Sequence, residues 1–422
     1  MTTTLRARAG LTGIFALACA GLTGIAVAAP ASAATPDAST GAHFLASELA
    51  AGGDHFSVSS GGTNYADYGL TIDGILGLDA AQTGQAEAQR AASYITKNAA
   101  AYNTYGQDVY AGATAKLLVF AQAQGLPTGG YLSQLKSLEQ TTGQFKDKSA
   151  YGDYSNTIGQ SLAIVGLARA GQSDAKAVDF LLKQQCNDGG FRMTFADTQC
   201  TTTAGDTDAT SLAVQALSAA GGHDAAVTKA VNFIAGEQQS NGGVVEPAAQ
   251  AAPNTNSTGL AAVAFALTGK TAEAAKAKAF VAGLQFGCTS PAALRGGFAF
   301  DQKSFDALRA KGSKATVSDK EHRATTQAVL ALVQQPYLKI SAGGSATAPA
   351  LSCATSSPTT SATSTASSTS VSATSTTTGP PIITDGSQTG GGNAGVLFAG
   401  AAVLGGAALA GTGLRRRLRS RD

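Results

Sequence analysis

The sequence predicts an all-α body, six helical hairpins closed into a ring with the inner helices parallel. Three observations carry that expectation. An Ala/Leu-rich segment recurs along the chain and ends in glycine at Gly84, Gly125, Gly171, Gly221 and Gly269, with spacings of 41, 46, 50 and 48 residues. A period that long marks a repeated supersecondary unit. Each copy is apolar nearly all round, with Ala, Gly and Ser wherever a neighbour must approach, so burial on every side is expected. Between the copies lie helices whose lysines (Lys97, Lys176, Lys183, Lys229, Lys276, Lys278) fall on one side, as an outer layer requires.

The elements follow in chain order. Residues 1–33 open with Arg6 and Arg8, continue as an apolar run over 11–29 and close on Ala31-Ser32-Ala33, the pattern of a cleaved signal peptide. Residues 34–342 form the expected body. Its inner helices are predicted over 68–84, 107–125, 156–171, 208–221, 256–269 and, more loosely, 321–334. The copies starting at Asp208 and Asn256 align without gaps, and both residues are expected to cap their helices. Outer helices are predicted over 43–51, 86–100, 130–141, 174–185, 225–239 and 272–285. An open solenoid would need polar terminal caps, which neither end helix shows.

Residues 343–393 are rich in Ser, Thr, Ala and Gly with Asp385 as the only charge. Such a stretch buries too little apolar surface to offset its chain entropy, so it reads as a disordered stalk. Residues 394–414 carry no charge and are long enough for a transmembrane helix. The basic tail 415–422, with Arg415, Arg416, Arg417 and Arg419, is expected to stay cytoplasmic and leave the body outside. This end resembles the sorting tail of Gram-positive wall-anchored proteins. It departs from that pattern at Gly386-Ser387-Gln388-Thr389-Gly390, which lacks the Leu-Pro of a sorting signal, so retention in the membrane is the expectation.

Cysteine and charge narrow the setting. Outside the signal the chain keeps Cys186, Cys200, Cys288 and Cys353, an even number that reads as disulfides in an exported protein. Three pairings are possible. Cys186 with Cys200, a short loop, and Cys288 with Cys353, pinning the end of the body, are favoured. A four-thiolate zinc site is disfavoured because no CxxC appears. With the signal, stalk and tail set aside, 22 basic and 25 acidic residues remain, about −3, evenly mixed. That offers no basic stripe for phosphate backbones, and nucleic acid is excluded as a partner.

Three predicted outer helices end in Gln followed by a Gly-rich turn: Gln184-Gln185 with Gly189-Gly190-Phe191, Gln238-Gln239 with Gly242-Gly243-Val244, and Gln285 with Gly296-Gly297-Phe298. These turns are similar to the Gln-Trp repeats of the prenyltransferase/squalene-cyclase superfamily, with every Trp replaced. The resemblance spans about residues 40–335 and implies the α6/α6 toroid fold. That architecture also serves cobalamin carriers and other non-catalytic proteins, so it leaves activity open.

Asp206-Thr207-Asp208-Ala209-Thr210 resembles the DxDD acid motif of class II terpene cyclases, which would make Asp208 the proton donor and Asp206 its companion. A carboxylic acid protonates an alkene only while held neutral in a dry apolar pocket, with aromatic faces near the cation. The chain has no Trp and only 6% aromatic residues. The four His are scattered singly, no nucleophile elbow or phosphate-cradling loop is present, and no metal or cofactor is expected.

Tyr65, Tyr68, Tyr105, Tyr110, Tyr151 and Tyr154 lie at or just before the starts of the first three inner helices, with Asp67, Asp108 and Asp153 beside them and Asn256 further round. Parallel inner helices would collect them at one mouth, and loops gathered on a rigid scaffold are the usual seat of binding. Tyr faces with short acids and amides suit a small polar molecule, a glycan or a surface partner. The expectation is thus a membrane-anchored surface toroid that binds at its mouth. The alternative is an extracytoplasmic enzyme using Asp208 as acid, or a glycan-active one using paired mouth carboxylates.

Overall fold

The computed structural model describes residues 37–60, 63–247 and 252–353. The signal segment 1–33, the stalk beyond Cys353, the span 394–414 and the tail 415–422 lie outside the described residues. No described helix is long and apolar enough to cross a membrane.

The helices in chain order are α1 (Ala38–Ala51), α2 (Tyr68–Ala81), α3 (Gln85–Asn103), α4 (Ala111–Ala123), α5 (Gly129–Ser137), α6 (Thr157–Arg169) and α7 (Ala175–Leu182). They continue as α8 (Thr207–Ala220), α9 (Asp224–Gly236), α10 (Thr255–Leu267), α11 (Thr271–Ala282), α12 (Gln302–Ala310) and α13 (Asp319–Val333). The fully apolar copies become α2, α4, α6, α8, α10 and α13, each packed on the next, with α13 returning to α2. Outer helices α1, α3, α5, α7, α9 and α11 sit over the joints, and α1 bridges α13 and α2. The ring is closed.

The inner helices run the same way because their contacts advance together. Lys116 on α4 meets Asp73 on α2, and further along both helices the side chain of Gln124, just past α4, donates to Asp79. Gly112 touches Gly159 near the starts of α4 and α6, and Leu118 meets Gly166 further along.

The Gln-Gly turns explain how neighbouring hairpins lock. Gln185 Nε2 donates to the carbonyls of Gly189 and Ala226 at 2.9 Å each, so one turn is tied to the first turn of α9. Gln238 does the same for Gly242 and Glu273, at 3.0 Å each, reaching α11. Gln285 bonds Gly296 at 2.9 Å and reaches across the seam to Thr40 Oγ1 at 2.8 Å, while the Asp37 amide donates back to its Oε1 at 3.0 Å. The glycines are obligatory: at Gly242, φ is +90° and a Cβ would stand 2.3 Å from the Lys276 carbonyl oxygen. The predicted outer helices overran by about three residues because these glutamines belong to the turns rather than to the helices.

Both favoured disulfides are present, Cys186–Cys200 and Cys288–Cys353. The second fastens a strap that follows α13 across the ends of the inner helices. Tyr337 N–H donates to Gln215 Oε1 at 3.0 Å, Arg169 donates to the carbonyls of Tyr337 (2.6 Å) and Ile340 (2.9 Å), and Ala342 N–H donates to the Ala123 carbonyl at 2.8 Å. The Tyr337 side chain enters the ring's centre, beside Asp73, Lys116 and Gln327. A cavity of about 20 Å³ remains there, room for roughly one water molecule. Among the described residues, side chains thus occupy most of the ring's centre.

Four further features depart from expectation. Two antiparallel hairpins interrupt the all-α pattern, β1 (Ser57–Ser60) with β2 (Thr63–Ala66) and β3 (Thr104–Tyr105) with β4 (Asp108–Val109). They occupy the first two outer-to-inner connections, where the Gln-Gly turn is missing. Helix α12 is an insertion before α13, and Phe286, Leu294, Ala299, Leu308 and Ala315 form a small core of their own there. The caps of α8 and α10 are Asp206 and Asn254, not Asp208 and Asn256. Residues 343–353, expected to open the stalk, pack on the body: the Ser345 and Ala346 carbonyls accept from the amides of Gln85 and Ala86 at 3.2 and 2.9 Å.

Candidate functional site

The expected mouth residues separate into groups. Tyr105 on β3, Asp108 on β4, and Tyr151 and Tyr154 in the loop before α6 converge. The Tyr105 and Tyr151 rings lie 5.8 Å apart, the Tyr154 hydroxyl donates to the Tyr151 carbonyl at 2.8 Å, and Asp108 accepts from the Ala150 amide at 2.9 Å. Tyr151 and Tyr154 are the two large apolar side chains exposed among the described residues, each 38% accessible. Large rings left in water on a rigid rim call for a ligand more than core residues do.

The frame behind them is built from carboxylates. Tyr110 precedes α4 but offers no side-chain cap, and Asp147 Oδ1 takes the Ala111 amide instead, at 2.7 Å. Its Oδ2 accepts from the Tyr154 amide at 2.9 Å. Burial pushes the Asp147 carboxyl up to about 6 against these two hydrogen bonds, with the Asp153 charge adding to the rise. Asp153 in turn accepts from the Asp147 amide (3.2 Å), the Ser155 hydroxyl (2.6 Å) and Gln144 Nε2 (3.1 Å). Tyr110 is buried, its hydroxyl paired with Ser149, and burial raises its pKa. Asp153 and Tyr110 therefore support the rim from behind.

The remaining expected residues lie elsewhere. Tyr65 sits on β2 opposite Val58. Tyr68 turns to the outer layer, 6.2 Å from the rings of both Tyr94 and Tyr102. Asp67 is fully buried; it caps α2 through the Leu70 amide and takes a 2.5 Å bond from Arg323 of α13, fastening the ring's closing joint. Asp206 accepts from the Ala209 amide at 2.8 Å as the α8 cap. Asp208 and Asn256 are 2% and 4% exposed. Each shares a helix face with the leucine four residues on, Leu212 and Leu260, which line the small central cavity.

Sequence reasoning missed Asp147, Arg323, Tyr337 and the Asp73–Lys116 pair. Lys116 Nζ stands 2.8 Å from the Asp73 carboxylate with both side chains buried, and burial raises the Asp73 pKa against the pull of Lys116. A signal was present. Lys116 is the one charge of α4, and α2 carries only Asp73 and Asp79 in an otherwise apolar run, and a buried charge demands a partner. No group of His, Cys, Asp or Glu among the described residues is arranged to hold a metal ion.

Comparison with known proteins bears on the fold alone. No family model and no curated sequence matches the chain. Among solved structures the chain is similar to an unsaturated glucuronyl hydrolase specific for heparin, with a TM-score of 0.50, 11% identity, and coverage of 70% of this chain and 95% of that one. It is also similar to an α-1,6-mannanase of a Salegentibacter species (TM-score 0.49, 13% identity, 72% and 100% covered). A third likeness is to the type II terpene cyclase MstE from Scytonema (TM-score 0.48, 15% identity, 72% and 100% covered). The architecture is that of the α/α toroids, which include glycoside hydrolases, terpene cyclases and haptocorrin.

Proposed function

We propose that this chain is an extracytoplasmic α/α-toroid binding protein that holds a saccharide on the rim formed by Tyr105, Tyr151, Tyr154 and Asp108. The convergence of three tyrosines at the mouth of a ring whose centre is filled carries this reading. Sugar rings present flat C–H faces that stack on Tyr and hydroxyls that bond to a carboxylate or a loop amide. The filled centre leaves an isoprenoid no chamber to fold in, which weighs against a cyclase using Asp208. Asp147 and Asp153 are occupied by loop amides, which weighs against a catalytic carboxylate pair at the rim.

Two disulfides fit a compartment outside the cytoplasm. With a cleaved segment 1–33, a stalk beyond Cys353 and a span over 394–414, the ring would stand off the membrane and present its rim to envelope or environmental glycans.

The test is a glycan array probed with the wild-type chain and with a variant carrying Tyr105→Ala, Tyr151→Ala and Tyr154→Ala. Loss of three stacking contacts is expected to weaken any glycan bound by about tenfold to a thousandfold. Glycan binding that survives the triple substitution at full strength overturns the proposal.

A further inference from the structure

At the opposite end of the ring from the tyrosine rim lies a groove of about 370 Å³, between the turn that joins α6 to α7 and the end of α8. Its floor is apolar: Ile164 and Leu167 from α6, Val178 from α7, and Ala219 and Ala220 from α8. The volume suits a small organic ligand.

The carboxylates on its wall are unopposed by any lining Lys or Arg. Gln172 lines the groove, and its Oε1 is buried without a hydrogen-bond partner. Asp174 and Asp179 stand on the wall, and neither Lys nor Arg is among the lining residues. Asp174 is further backed by Glu139, whose pKa rises through burial and through this like charge. The cations that act on Glu139, Lys176 and Lys136, do not line the groove. His223 completes the wall.

We infer that this groove is a second binding site, for a small amphiphilic amine whose apolar body lies on Ile164, Leu167 and Val178 and whose ammonium faces Asp174 and Asp179. The apolar floor supplies affinity and the two wall aspartates, with no Lys or Arg among the lining residues, supply the choice of a cation over an anion. The site is independent of the tyrosine rim.

Isothermal titration of the full chain with three matched probes tests it: 2-phenylethylammonium, 2-phenylethanol and phenylacetate. The amine is expected to bind with a Kd near or below about 1 mM, the alcohol several-fold more weakly, and the acid at least roughly tenfold more weakly than the amine. Ala220→Trp, which fills the groove from its partly exposed edge, is expected to abolish binding. Asp179→Asn should narrow the gap between amine and alcohol. Tyr154→Ala should leave amine binding unchanged. Equal heats for the three probes, no amine binding, or amine binding indifferent to Ala220→Trp in a chain with unaltered circular dichroism would each overturn the assignment.

Discussion

Asp147 caps a helix that belongs to another repeat: its carboxylate receives the Ala111 amide at 2.7 Å, where Tyr110 in the cap position has no side-chain oxygen within reach. The same carboxylate holds the Tyr154 amide. One side chain thus anchors the second inner helix and positions the rim tyrosine of the third.

Replacing Asp147 by Ala is therefore expected to cost about 1–2 kcal/mol of unfolding free energy, the usual cost of losing a helix cap, and to weaken glycan binding as Tyr154 loses its backbone support. Urea unfolding measures the first effect and glycan titration the second. An Asp147→Ala chain that keeps full stability would show that the Ala111 amide finds another acceptor.

Two carboxyls respond to pH in the same direction. Asp79, bonded by Gln124 at 2.6 Å and Gln85 at 3.3 Å, is raised by burial to about 6, as is Asp147. Between about pH 4 and 6 the folded chain holds protons that the unfolded chain has released, so stability falls as pH rises through that window. The penalty is fully present above the folded pKa values. Thermal unfolding at pH 5 should occur a few degrees higher than at pH 7.5, and Asp79→Asn should shrink the difference. A Tm that drops on acidification to pH 5 refutes this assignment.

The buried Asp73–Lys116 pair gives a sharp contrast. Lys116→Met alone strands a carboxylate in the ring's centre and is expected to cost about 3–5 kcal/mol, whereas adding Asp73→Leu should recover most of it. The double-mutant cycle by chemical denaturation decides it. A double-variant loss equal to the sum of the Lys116→Met and Asp73→Leu losses would mean that the pair's charges contribute nothing to each other.

Ring closure can be read at Gln285. Its amide bonds Gly296, Thr40 and the Asp37 carbonyl and receives the Asp37 amide, so Gln285→Ala removes four hydrogen bonds and leaves the Gly296 carbonyl and the Asp37 amide to find new partners, at about 1–3 kcal/mol for each that stays dry. Native-state hydrogen exchange should then quicken in α1 while α6 and α8 stay protected. Uniform exchange across the ring would instead mean that the seam opens only with global unfolding.

Much of this architecture could be read from the residues in order. The Ala/Leu-rich copies located all six inner helices, because burial on every side leaves a composition signature within each helix. The Gln-Gly turns announced the joints, since only glycine fits where Lys276 O stands 2.3 Å from a would-be Cβ. Both disulfides were the favoured pairs. The tyrosine cluster was half legible: Tyr105, Tyr151 and Tyr154 meet, but Tyr68 turns outward to Tyr94 and Tyr110 is buried. A residue's place before a helix does not fix which way its side chain leaves the loop. Asp208 and Asn256 were misplaced by two residues because two acids, or two amides, of equal capping ability stand at each start. Backbone geometry alone picks between them.

The linear sequence by itself determined the repeat, the inner and outer layers and the closed ring, because these follow from periodic burial and turn chemistry within some fifty residues. Only the tertiary structure decided that Tyr337 fills the centre, that Asp73 finds Lys116 on the neighbouring helix, and that Asp147 serves two repeats at once. Those relationships join residues far apart in the chain, and their partners are set by how the helices pack.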